Sequence, residues 1–246
     1  MQRTLTLIIG ALIAASASAQ FPSLENIIPG VGTSPKPGTA ASTAGAPDEK
    51  TSASGIKEAL AVGTENAVKN LSRENGYFGN QAVKILMPPS IQRVGDMAGK
   101  MGLQKQVDDF VLSMNRAAEA AAPVAASYFA DAVRDMSVDD ARGILGGGNT
   151  AATDFFRNKT RDKLYVAFKP TVSQKVGEVG ATRAYQEMTG RLQSVPMLGS
   201  QSLDVEDYVT NKALDGLFLM IGEEEKKIRA NPAARTTDLL KSVFGK

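Results

Sequence analysis

The sequence predicts an all-α fold: a single compact multi-helix domain built around a kinked, alanine-rich central helix, with at most one short β-like ribbon. Three observations predict it. Over most of the chain beyond residue 54, apolar residues recur at three- and four-residue steps, the pattern of helices that each bury one face. From Ala117 to Ala126 every residue is alanine except Glu119, Pro123 and Val124, so neighbouring helices can approach this stretch closely on several sides. The single β-like run, Val83 to Met87, has no second strand to pair with and is expected to lie extended across helices.

Composition narrows the chemistry. The 246 residues contain no Cys, His or Trp, which removes disulfides, thiolate metal sites, a Cys nucleophile and any His-based triad. A metal would need oxygen ligands alone, Ca²⁺ or Mg²⁺ in character, and neither a metal nor a cofactor is expected. Lys and Arg total 28 against 26 Asp and Glu, a formal charge of +2. That balance does not point to nucleic acid as a partner. Hydrophobic residues make up 43% of the chain, enough for a core without cross-links.

Residues 1–19 read as a secretory signal peptide: Arg3 is the positive n-region, Leu5 to Ala14 the short apolar run, and Ala17-Ser18-Ala19 the small-residue cleavage site before Gln20. The apolar run is too short to span a bilayer, so no stable membrane span is expected after cleavage. No Cys follows the cleavage site to be acylated, so a soluble periplasmic or secreted protein is expected. Residues 20–54 read as a short apolar turn, Phe21 to Ile28, and a Gly/Pro/Ser/Thr-rich flexible tether. Residues 55–246 form the expected helical domain.

Within the domain, Ile56, Leu60, Ala67 and Leu71 mark a first helix from Ser54 to Asn75, stopped by Gly76. Pro88-Pro89 opens a short helix that closes at Gly102. Val107, Phe110, Val111, Met114, Ala118 and Ala121 mark the buried face of the longest helix, which kinks at Pro123 and resumes through Phe129 to Met136. Ser137 caps the next, short helix. After Gly146-Gly147-Gly148, Asn149 or Thr150 caps a helix carrying Phe155, Phe156, Leu164 and Phe168, expected to stop at Pro170. A further helix is expected from Thr171 to Ser194, broken at Pro196 and Gly199. Asp204 to Ala230 is the second strong helix, and Thr236 or Thr237 caps a last turn through Phe244.

Three constellations carry potential chemistry. Asn115, Arg116 and Glu119 lie at three- and four-residue spacing where the alanine tract begins, so their side chains share one surface. They read as the floor of an interhelical cleft, where close packing forces them to pair, or else as an exposed ion pair or a structural pin between helices. Asp215 and Arg229 on the C-terminal helix are further candidates for lining that cleft. Gly147, Gly148, Asn149 and Thr150 precede a helix whose free amides favour an anion, although the Walker lysine and its strand are lacking. Asp207, Asn211 and Asp215 form a row of oxygen groups on one helix, a solvated face or one side of a hard-cation site. Glu223 to Lys227 reads as an exposed, charge-laced turn of helix.

Six short strings occur in order: Gly55-Ile-Lys-Glu-Ala-Leu60, Lys84-Ile-Leu-Met-Pro88, Asn115-Arg-Ala-Ala-Glu119, Asp140-Ala-Arg-Gly-Ile-Leu145 with Ala151-Ala-Thr153, Tyr208-Val-Thr210 with Ala213-Leu-Asp-Gly-Leu-Phe218, and Ile228-Arg-Ala-Asn-Pro232. Together they resemble the bacterial family catalogued as domain of unknown function 4197, over about Gly55 to Gly245. The resemblance implies an exported helical domain, often a lipoprotein, with no established activity and no catalytic residues to carry over. The missing acylated Cys departs from the lipoprotein members.

The leading functional expectation is a non-enzymatic periplasmic binding or interaction module. Its polar cleft, lined by Asn115, Arg116, Glu119, Asp215 and Arg229, would take a small polar ligand or an envelope protein. One alternative is a cell-envelope hydrolase or lyase of peptidoglycan type with Glu119 as general acid, which Arg116 beside it opposes. The other is a purely structural or assembly protein.

Overall fold

The computed structural model describes residues 49–178, 180–190, 204–231 and 241, and among them every regular element is helical. The expected leader, most of the tether, the break at Pro196 and Gly199, and the final capped turn lie outside the described residues, Lys241 apart.

α1 (Glu49–Ser72) begins five residues before the apolar period does, because Ala53 already packs on the core and extends the buried face by one turn. The chain leaves it through Asn75, whose φ of 63° is one that Asn tolerates better than most side chains. Residues 84–88 then form neither helix nor turn, extended at Ile85 and Pro88, and pair with no strand among the described residues. A 3-10 turn (Pro89–Ile91) leads into α2 (Gln92–Ala98), and a π turn (Gly99–Leu103) with Gly102 at φ 82° reverses the chain where a glycine stop is expected.

α3 (Gln104–Ala121), a 3-10 turn at Ala122–Val124 and α4 (Ala125–Arg134) together form the kinked central rod, with Pro123 at the kink as predicted. Ala117, Ala118, Ala121, Ala122 and Ala125 are all fully buried, so the alanine tract does bring several helices close to one axis. α5 (Val138–Gly146) opens with a capping box: the Ser137 hydroxyl accepts from the Asp140 amide, and the Asp140 carboxylate accepts from the Ser137 amide.

α6 (Ala151–Glu178) corrects the expected stop at Pro170, because it runs through that proline for two further turns. Proline removes the amide that would bond the Val166 carbonyl. Val166 is 70% exposed, so that carbonyl sits on the solvent side, while Phe168, Val172 and Val176 on the opposite side stay fully buried. Core packing therefore outweighs one lost bond. The helix expected from Thr171 to Ser194 is split between the end of α6 and α7 (Ala181–Gly190), which Gly180 separates at φ 77°. α8 (Val205–Ala230) starts at Asp204, whose carboxylate accepts from the Asp207 amide.

α8 lies against α1 and α6, while α3 touches α1, α6, α7 and α8. Where α3/α4, α6 and α8 meet, Phe129 packs edge-on against Phe156 (centroids 5.4 Å apart) and Phe218 (6.1 Å). The loop after α1 inserts Tyr77 into this core. Its hydroxyl donates to the Ala213 carbonyl on α8 (2.7 Å), and its ring lies over Gly216. A β-carbon at residue 216 would stand 2.8 Å from the Tyr77 ring and 3.2 Å from Val83. In an open helix Gly→Ala gains about 1 kcal/mol. Here the ring is tethered and cannot retreat, so Gly216→Ala is expected to lose about 1–3 kcal/mol instead. Urea unfolding monitored by circular dichroism checks the sign.

Candidate functional site

α3 carries the predicted polar trio inward because they interrupt its apolar face. Asn115 is fully buried and binds one residue of the extended segment twice: its Oδ1 accepts the Ile85 amide and its Nδ2 donates to the Ile85 carbonyl, both at 2.8 Å. Nδ2 also donates to the Val111 carbonyl. A side-chain amide thus supplies the donor and acceptor that a neighbouring strand would have supplied.

Glu119, 4% exposed, lies one turn further along. Its Oε1 accepts the backbone amides of Tyr77 and Phe78, each at 3.1 Å, and its Oε2 accepts Arg116 Nη1 at 2.6 Å. Arg116 Nη2 continues outward to Glu74 (3.1 Å) and to Asn75 Oδ1 (3.0 Å). Burial, and after it the charge of Glu119, push the Tyr77 phenol far above the usual tyrosine range, so it remains a neutral donor to Ala213. These residues clasp the loop between α1 and α2 to the central helix.

The clasp adjoins open space on two sides. Between α3 and α7 a cavity of about 540 Å³ is lined by Arg116, Ser113, Leu112, Asp109, Gly180, Arg183, Ala184 and Glu187. Arg183 Nε donates to Glu187 across this wall at 2.8 Å, and Asp109 pairs outward with Lys105. On the side of α8, a groove of about 740 Å³ follows the extended segment.

Asn115, Arg116 and Glu119 are therefore brought together as expected, but Asp215 and Arg229 are not beside them. Asp215 faces α6, where Arg161 lies 3.4 Å away, and Asn211 binds the same guanidinium. Tyr165 donates its hydroxyl to Asp207. The oxygen row on α8 thus meets a donor stripe on α6, and among the described residues no group of three or more acidic side chains is arranged to hold a metal.

Arg229 belongs to a second clasp. Glu225, 7% exposed, accepts the Ala152 amide (3.0 Å), the Thr153 amide (2.9 Å) and the Thr153 hydroxyl (2.8 Å). Arg229 Nε donates to the same carboxylate at 3.0 Å, and its Nη2 donates to the Ile144 carbonyl at 2.8 Å. The start of α6 thus holds the Glu225 carboxylate through Ala152 and Thr153, and none of Gly147, Gly148, Asn149 and Thr150 binds it. The reading of Glu223 to Lys227 as wholly exposed is corrected here: Lys226 and Lys227 are exposed and Glu223 is half-buried, while Glu224 and Glu225 are buried. The missed signal was periodicity. Ile221 and Ile228 stand four before and three after Glu225, and both are buried.

A family model described as a protein of unknown function (DUF4197) matches residues 46–245. No curated protein and no solved structure matches the chain.

Both carboxylates sit among donors, so replacing one by its amide leaves an N–H facing an N–H. Glu225→Gln is expected to destabilise by about 2–4 kcal/mol, against under about 1 kcal/mol for Glu223→Gln, whose side chain is 45% exposed. Chemical unfolding of the two variants checks the contrast.

Proposed function

The chain belongs to the DUF4197 family, and we propose that this member is a non-enzymatic binding module of the bacterial periplasm. Its ligand is a small polar molecule bearing an anionic group, held in the cleft between α3 and α7. One observation carries this reading. The Arg116 guanidinium is fixed by Glu119, Glu74 and Asn75, yet its side chain keeps 25% exposure and lines the cavity. Arginine has five N–H donors, and three are engaged within the described residues, which leaves two for a ligand. A cation already held in place loses little freedom when it captures a carboxylate or phosphate. Ser113 and Arg183 supply further polar groups on the same walls, with Asp109 and Glu187 to meet a positive group of the ligand.

The hydrolase reading requires Glu119 to pass a proton to a substrate. Both its oxygens are engaged by backbone amides and Arg116, and the residue is buried, so it is placed to hold the loop rather than to meet a glycan.

Native mass spectrometry of protein taken from periplasm tests the proposal. Wild type is expected to retain a small anionic adduct. Ala184→Trp, which fills the cavity from the α7 wall, is expected to lose it while circular dichroism keeps the wild-type helical content. An adduct-free wild type that also shows no thermal shift with anionic peptidoglycan fragments, or an adduct that Ala184→Trp keeps, overturns it.

A further inference from the structure

Beyond the turn at residues 81–83, the segment around Ile85 has the alternation of a strand. Val83 and Ile85 are buried, Lys84 is half-buried, and Leu86 is 61% exposed. In extended backbone the amide and carbonyl of one residue point the same way, and those of the next residue point oppositely. Asn115 occupies the edge at Ile85. The Lys84 amide is taken by the Asn80 carbonyl (2.8 Å), so it is the groups of Leu86 that face the other edge, toward α8. There the Leu86 carbonyl accepts only the Tyr208 hydroxyl, at 3.1 Å, and the Leu86 amide donates to no group among the described residues.

This free edge borders the groove of about 740 Å³ between the segment and α8. Leu219, 41% exposed, joins Leu86 as an apolar wall, and Lys84 and Lys212 line the same groove. The negative group there, Asp215, is shared by Arg161 (3.4 Å) and Lys212 (4.0 Å). The groove thus combines an unpaired Leu86 amide, apolar surface and two lysines against one carboxylate.

We propose that this groove binds an extended acidic peptide of a partner protein by strand addition. The partner's backbone pairs with Leu86, its apolar side chains cover Leu86 and Leu219, and its carboxylates meet Lys84 and Lys212. This site is separate from the cleft between α3 and α7 and does not depend on it.

The probe is a fluorescein-labelled, end-capped heptapeptide alternating valine with glutamate, compared with its valine–lysine counterpart by fluorescence anisotropy. The acidic peptide is expected to bind at least about tenfold more tightly than the basic one. Leu86→Pro removes the amide while keeping extended backbone, and should weaken binding at least about tenfold; Leu86→Ala keeps the amide and should cost about threefold. In wild type, peptide saturation should slow hydrogen exchange at the Leu86 amide, a readout that stands even where the proline variant fails to fold. No binding up to about 1 mM, equal binding of the two peptides, equal loss in the two variants, or unchanged exchange at Leu86 overturns the proposal. A doubling of mass in light scattering together with blocked peptide binding also overturns it, because the occupant would then be a second copy.

Discussion

The architecture rests on two carboxylates that have been taken out of water and given backbone amides in exchange. Glu119 holds the amides of Tyr77 and Phe78, and Glu225 holds those of Ala152 and Thr153. Each is also bound by an arginine three or four residues away on its own helix. An isolated buried carboxylate is costly, and so is an orphaned buried amide. Placed together, each removes the other's penalty. The two clasps fix the positions that helix packing alone leaves loose: the loop after α1, and the start of α6.

The alanine tract makes the first clasp possible. Its side chains are too small to hold neighbours apart, so the loop reaches α3 closely enough for direct bonds to Glu119 and Asn115. Tyr77 then crosses to α8, where Gly216 leaves room for its ring. Fixing the loop has consequences on both of its sides. Arg116 is held rigid at the edge of one cleft, and the extended segment is held open along another. Pre-organised groups of this kind lose little entropy on binding, which links the packing of the core to recognition at the surface.

Features governed by local chemistry were legible in the sequence. The Ser137 cap, the glycine stop at Gly102, the kink at Pro123 and the extended run near Ile85 depend on backbone rules that neighbouring residues declare. The trio of Asn115, Arg116 and Glu119 was legible for the same reason, since helical spacing brings them together. Pro170 misled because its cost is met by solvent at Val166 and outweighed by packing that no local rule reports. Arg229 and Asp215 were placed in the wrong company, since their true partners, Glu225 and Arg161, lie on faces set by tertiary packing. The contact between Glu225 and the start of α6 was not legible, because Glu225 is 72 residues away from Thr153 and sits in a run of charges that resembles solvated helix.

Amide hydrogen exchange at Tyr77, Phe78, Ala152 and Thr153, resolved by NMR, tests the central claim most directly. If the two carboxylates anchor the loop and the helix start, all four amides exchange as slowly as the core amide of Ala118, through global unfolding alone. Exchange by local opening, at rates like those of the exposed Gly147 and Gly148 turn, would contradict it.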